Sequence, residues 1–281
     1  MDQLVTTEWL ANELGASDLR VVDATMFLPS DNRNAVAEFE AGHIPGAVFM
    51  DLSEIVDTAN PLPMMLPGAE KFASRMQSLG LGDGSRIVIY DNSPWKSAPR
   101  AWWMLSQVFG AHAVAVLDGG LAKWTAEGRP LESGKPTIRH RHFTAWKNDK
   151  VVRDKAQMRA NIDSNAEQVV DARGVARFTG EEADPRPNVG SGHIPGSRNL
   201  PYSSVYNADG TWKRGEDLKA VFEAAGIDLT KPLVATCGSG LTASSIVFGA
   251  HLLGMENVAL YDGSWSDWGS DPETPKATGA A

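Results

Sequence analysis

Cysteine is all but missing from this chain: Cys237 is the only one in 281 residues. One cysteine cannot close an intramolecular disulfide, so the fold owes nothing to oxidation. A reducing compartment, the cytoplasm, is the expected location. Positive charge is also scarce, with 26 Lys and Arg against 35 Asp and Glu and a formal net charge of −9. That balance argues against a nucleic-acid partner, which would favour a basic face. It also means that an anionic substrate needs positive charge supplied locally. No uninterrupted apolar run approaches the roughly 20 residues of a membrane span. Met1-Asp2-Gln3-Leu4 lacks the basic region and apolar run of a secretory signal, so neither a leader nor a membrane partner is expected. His112, His140, His142 and His251 show no ligand spacing, and no metal site is expected.

What the chain does have is concentrated around the one cysteine. Leu233-Val234-Ala235-Thr236 is short, apolar and β-prone, a buried-strand signal. Ala243 to Leu253 reads as an apolar helix with Gly254 placed to end it. Between them lies Cys237-Gly238-Ser239-Gly240-Leu241-Thr242, a strand-to-helix turn. Its glycines let successive N–H groups point inward, and the helix start adds partial positive charge. A thiolate is stabilised in such a setting, and the thiolate is the reactive form of cysteine. A lone cysteine is more often a small buried hydrophobe. A loop with glycines on both sides of Ser239 is poorly suited to packing a core, which favours the nucleophile.

The rest of the chain is one module written twice. Val21-Val22-Asp23-Ala24 returns as Val169-Val170-Asp171-Ala172, and Gly42-His43-Ile44-Pro45-Gly46 as Gly192-His193-Ile194-Pro195-Gly196. Ile87-Val88-Ile89-Tyr90-Asp91 aligns with Leu233-Val234-Ala235-Thr236-Cys237, and Val116-Leu117-Asp118-Gly119-Gly120 with Leu260-Tyr261-Asp262-Gly263-Ser264. The offsets of 148, 150, 146 and 144 residues keep order and spacing, which means duplicated domains rather than a solenoid. Each half alternates strands and helices: an α/β fold of two tandem domains, each a mainly parallel sheet with helices on both faces. The first half has strands at 19–24, 47–51, 86–91 and 114–117, and helices at 7–15, 35–41, 68–79 and from Pro99. The expected boundaries are 1–135 for the first domain, 136–153 for a solvated connector and 154–281 for the second domain. Asp91 stands where the second half has Cys237 and cannot carry a nucleophile's role, so the first domain is expected to be silent at its own loop. The nine tryptophans are assigned to packing.

The loop separates two cysteine chemistries. Cysteine phosphatases place an arginine six positions after the cysteine to clamp phosphate. Position 243 here is alanine, and neither Lys nor Arg lies between Cys237 and His251. Cys-Gly-Ser-Gly-Leu-Thr-Ala resembles the active-site loop of the rhodanese-like sulfurtransferases, and within them it is similar to the 3-mercaptopyruvate branch, whose loop is uncharged. The thiosulfate branch carries basic residues where Gly238 and Ser239 stand.

The resemblance covers nearly the whole chain and implies a site. Cys237 would be the persulfide-forming nucleophile, and Gly238, Gly240, Leu241 and Thr242 the cradle for substrate sulfur. Ser239 and His43 match two members of a Ser-His-Asp relay. Counting back from His43 gives Asn32 with Asp31 beside it, so the third member does not match cleanly. His193 reads as structural. Asp-Ala-Arg-Gly-Val-Ala-Arg-Phe and Asp-Pro-Arg-Pro resemble the segments that supply substrate-binding arginines, here Arg177 and Arg186, with Arg173 a weaker candidate. On the residues alone these are equally well surface arginines paired with Glu181, Glu182 or Asp184. The implied partners are a small sulfur donor and a thiol acceptor such as thioredoxin, with no cofactor. Thiosulfate sulfurtransferase and a non-catalytic binding module of the same fold are the alternatives.

Overall fold

Apolar, β-branched segments build two parallel five-stranded sheets in a computed structural model that describes residues 1–280. The first sheet contains β1 (Leu4–Val5), β2 (Leu19–Asp23), β3 (Ala47–Phe49), β4 (Arg86–Tyr90) and β5 (Ala113–Leu117), in the order β1-β5-β4-β2-β3. The second contains β6 (Val152–Arg153), β7 (Gln168–Asp171), β8 (Arg198–Asn199), β9 (Leu233–Thr236) and β10 (Val258–Tyr261), in the order β6-β10-β9-β7-β8. The two orders are the same order repeated. β1 and β6 are short edge strands absent from the sequence reading. Two residues are too few to show a period, and only pairing with β5 and β10 defines them.

Helices begin where short polar side chains can cap them. Thr6 accepts the Trp9 N–H at 3.1 Å and Asn34 the Ala37 N–H at 3.0 Å. Asp154 and Gln157 satisfy each other's backbone in a capping box. The helix at Ala98–Trp102 starts with Pro99 in its first turn and continues as a wider π-helical turn, Trp103–Val108.

The chain forms two units. The first comprises Met1–Asp57, Leu66–Asn148 and Asn207–Trp212; the second comprises Thr58–Met65, Asp149–Tyr206 and Lys213 onward. By contacts the first unit runs on to Asn148 and the second resumes at Asp149, and each half of the sequence lends a loop to the other unit. Asn207–Trp212 is fixed in the first unit by the Trp212 N–H, which donates to the buried Asp118 carboxylate at 2.8 Å. Residues 136–148 are irregular and mostly exposed, with Phe143 the buried exception. Phe143 is buried edge-on against Phe72, which stacks on Phe109 with ring centroids 3.9 Å apart. The Asp83 carboxylate accepts both the backbone N–H and the hydroxyl of Thr144.

Five tryptophans, Trp102, Trp103, Trp124, Trp265 and Trp268, are fully buried. Trp124 and Trp268 make the same bond in their own units, Nε1–H to the carbonyls of Pro130 and Pro275, each at 2.8 Å. Trp146 departs from the packing assignment, with 75% of its surface exposed. No helix among the described residues is long and apolar enough to cross a membrane.

Candidate active site

β9 lies between β7 and β10, and Cys237 follows its last residue. The C-terminal ends of parallel strands are where open α/β sheets hold ligands. The loop runs from Cys237 to Thr242 and enters the helix Ala243–Leu252. Gly240 has φ +81°, the left-handed region in which glycine carries no steric penalty.

Neighbouring backbone fixes how the first loop peptides face. The Cys237 carbonyl accepts the Trp265 N–H at 2.9 Å, and the Gly238 carbonyl accepts the Ser266 N–H at 2.9 Å and the Ser266 hydroxyl at 2.7 Å. A trans peptide points its N–H opposite to its C=O. The N–H groups of Gly238 and Ser239 therefore face away from the helix Ser264–Trp268. Among the described residues, the N–H groups of Gly238, Ser239, Leu241 and Thr242 donate to no protein acceptor. Several donors without an acceptor in one short loop suit an anion.

The equivalent loop of the first unit is arranged the opposite way. Asp91 is buried, and its carboxylate accepts the N–H groups of Ser93 at 3.0 Å and Ala98 at 2.7 Å. The N–H groups of Asn92, Trp95 and Lys96 donate to Thr25, Ser93 hydroxyl and Ser93 carbonyl. Burial pushes the Asp91 carboxyl above its ordinary pKa, against the pull of these bonds. This loop has spent these donors on acceptors within the first unit.

Of the arginines singled out in the sequence, Arg186 reaches the cysteine loop within the second unit. Its Nη1 donates to the Gly238 carbonyl at 2.7 Å and to the Ser266 hydroxyl. Its Nε and Nη2 form a fork on Asp184, each at 2.7 Å. Burial is the largest single influence on the Asp184 carboxyl and would raise it; the side-chain and backbone bonds from Arg186, with the charges of Arg186 and Arg173, together outweigh it and hold the pKa below the usual value. Arg177 pairs instead with Glu182 at 3.0 Å, both partly exposed. Arg173 is buried, forked on Asp171 and bonded to the Gly192 carbonyl, with its guanidinium over the Trp265 ring. It is a structural tie, and the sequence expectation of Arg173 as a weaker substrate ligand is replaced by this role.

Ser239 is half-buried, and its hydroxyl makes no hydrogen bond among the described residues. His43 and His193 occupy matching settings, each in its own unit. His43 Nδ1 lies 2.7 Å from the Phe39 carbonyl and its ring stacks on Phe39 at 4.0 Å. His193 Nδ1 lies 2.8 Å from the Phe178 carbonyl and its ring stacks on Phe178 at 3.8 Å. Nε2 takes no part in these contacts in either ring. Asp31 accepts the Leu28 N–H and the Trp95 Nε1–H, so its carboxylate is engaged locally.

Asp184 is the Arg186 partner among the acids that the sequence offered. Sequence reasoning missed Ser264 and Ser266, whose hydroxyls act on backbone groups that only the folded loop brings near. The one signal for them was the change from Gly120 in the first half to Ser264 in the second.

Comparison with known proteins agrees with this architecture. The rhodanese-like domain profile matches residues 6–127 and again 154–271. The chain belongs to the rhodanese-like domain family and carries that domain twice. It is 42% identical to human 3-mercaptopyruvate sulfurtransferase over 271 residues, 94% of this chain and 91% of the relative. It is 41% identical to bovine thiosulfate sulfurtransferase over 280 residues, 96% of this chain and 94% of the relative. The crystal structure of the Escherichia coli protein SseA, a 3-mercaptopyruvate sulfurtransferase fold, superposes with a TM-score of 0.86 at 37% identity, covering 94% of this chain and 99% of that one.

Proposed function

We propose that the chain is a 3-mercaptopyruvate sulfurtransferase that carries sulfur as a persulfide on Cys237. The observation that supports this most is the Cys237–Thr242 loop. It places unused N–H groups after a single cysteine and contains no charged side chain. Relatives named for this activity match along nearly the whole chain.

In the first half-reaction, the Cys237 thiolate attacks the sulfur of 3-mercaptopyruvate. The Sγ–S bond forms and the S–C bond breaks, with its electron pair passing to carbon as the enolate of pyruvate. The enolate takes one proton, and Ser239, with His43 as the relay partner that the resemblance implies, supplies it. The product is a covalent persulfide, whose terminal sulfur is held by the N–H groups of Gly238 to Thr242. Arg186 and Arg177 attract the carboxylate; in the present arrangement Arg186 has one N–H, on Nη2, left for it. In the second half-reaction a thiol acceptor, such as thioredoxin or a small thiol, or cyanide removes the sulfur. A lone cysteine that works as a thiol suits the reducing cytoplasm.

Donor comparison tests the reading. Thiosulfate carries its negative charge beside the sulfur under attack, where this loop offers dipoles but no cation. Turnover should favour 3-mercaptopyruvate by roughly ten- to a thousandfold in kcat/KM, the loss of one or two charge-assisted bonds. Equal use of thiosulfate would shift the assignment to thiosulfate sulfurtransferase, the activity named for the bovine relative.

A further inference from the structure

The cysteine loop has no cation of its own, yet a cation is bonded to its back. The Gly238 carbonyl accepts three donors: Arg186 Nη1, the Ser266 hydroxyl and the Ser266 N–H, at 2.7, 2.7 and 2.9 Å. That carbonyl belongs to the same peptide unit as the N–H of Ser239. Drawing electron density onto the oxygen strengthens the amide resonance and makes the N–H at the other end a better donor. Bonds in series polarise one another in this way, the more so away from water.

Three further observations fix the arrangement. Asp184, with only 1% of its side chain exposed, grips Nε and Nη2 of Arg186 and so aims Nη1 at Gly238. Ser266 both accepts from Arg186 and donates to the Gly238 carbonyl, closing the triangle. Gly238 leaves the room: a Cβ there would lie 3.3 Å from Arg186 Nη2. The first unit has the bond equivalent to Trp265 N–H on Cys237, from the Leu121 N–H to the Asp91 carbonyl, but Ala122 stands where Ser266 does and provides no hydroxyl.

We infer that Asp184, Arg186 and Ser266 form a positioning relay that delivers positive charge to the sulfur of Cys237 through the Gly238–Ser239 peptide. Ser266 and Asp184 are positioning residues in this scheme, and neither contacts the donor. The inference deepens the proposed sulfur transfer and rests on it for its purpose, but its physical content is the stability of the thiolate. An uncharged loop thereby gains cationic character without a side chain that would obstruct the sulfur.

The test is the pH dependence of Cys237 alkylation by iodoacetamide, a neutral reagent that needs no donor chemistry. It is measured on full-length wild type, Ser266→Ala, Ser266→Thr and Arg186→Gln, beside kcat and KM for 3-mercaptopyruvate. Weaker polarisation of the Gly238–Ser239 peptide disfavours the thiolate, so the alkylation midpoint in Ser266→Ala and Arg186→Gln should move up by roughly half to one pH unit, a three- to tenfold slower reaction below the midpoint. In Ser266→Ala kcat falls with KM little changed, and Ser266→Thr, which keeps a hydroxyl, restores the midpoint. Arg186→Gln carries the test if Ser266→Ala does not fold. An unchanged midpoint with a raised KM alone would overturn the relay and leave Arg186 as a carboxylate ligand. Absence of turnover with mercaptopyruvate, beside a shifted midpoint, would refute the donor assignment and leave the relay standing.

Discussion

The hydroxyl of Ser264 accepts the backbone N–H of Cys237 at 3.3 Å and donates to the Tyr261 carbonyl at 2.8 Å, while Ser264 itself sits at φ +50°. In the first unit the matching residue is Gly120 at φ +56°, where a Cβ would come within 2.4 Å of the Asp91 carbonyl oxygen. The second unit thus accepts a strained serine in order to hold its nucleophile's backbone. The strain is on the order of 1 kcal/mol, and leaving a buried N–H unpaired costs about 1–3 kcal/mol.

Ser264→Ala keeps the strain and loses the bond, whereas Ser264→Gly loses both. The glycine variant should therefore be the more stable of the two, against the usual order of Gly and Ala. Chemical denaturation reads this directly. An alanine variant as stable as wild type would mean that the 3.3 Å contact contributes nothing.

Asp23 gives the first unit a pH dependence. Burial raises its carboxyl from 3.8 to about 6, against bonds from Thr25 and Tyr90, with the nearby Asp91 charge adding to the rise. A folded pKa above the unfolded one means that the native state binds the proton more tightly. This group's contribution to stability therefore grows as pH falls from about 6 towards 3.8 and is lost as pH rises through about 6. The span is at most ~3 kcal/mol. Asp23→Asn should flatten the melting temperature against pH across this window. An identical slope in wild type and variant would remove Asp23 as its source.

His43→Asn separates relay from packing. Asparagine retains a donor near the Phe39 carbonyl but nothing at the position of Nε2. A relay predicts a fall in pyruvate release of roughly ten- to a hundredfold with the melting point nearly kept. His193→Asn, in the same stacked setting, should lose stability and retain turnover. If His43→Asn behaves like His193→Asn, the histidine packs and the relay is discarded.

Gly238→Ala tests the close approach of Arg186. A methyl 3.3 Å from Nη2 forces the guanidinium to move by a few tenths of an ångström. Misplacement of that size should lower kcat/KM for 3-mercaptopyruvate by about tenfold. Wild-type kinetics in this variant would show that Arg186 has room to spare.

Much of this was legible in the chain. The repeated Val-Val-Asp-Ala and His-Ile-Pro-Gly segments foretold two like sheets, because buried parallel strands are short apolar runs bounded by turns. Cys237 stood out because a loop with glycines on both sides of Ser239 is poorly suited to packing a core, although Cys237 itself is buried. What could not be read are interactions with no local pattern. Arg186 lies 52 residues from Gly238, and nothing in Asp-Pro-Arg-Pro says that its guanidinium seeks a carbonyl. The loop exchange at Asn207–Trp212 is equally silent, since its anchor is a backbone N–H on Asp118, 94 residues away. Phe143 reads as one aromatic in a basic tract until Phe72 and Phe109 are seen beside it.

The central claim is that sulfur rests covalently on Cys237. Intact-mass measurement after brief incubation with 3-mercaptopyruvate, without acceptor, tests it most directly, together with release of pyruvate. The account predicts one added sulfur atom on wild type, one pyruvate per chain, removal of the sulfur by a thiol, and none of these in a folded Cys237→Ser variant. A wild-type chain that stays at its unmodified mass, or a Cys237→Ser chain that still gains sulfur, would contradict it.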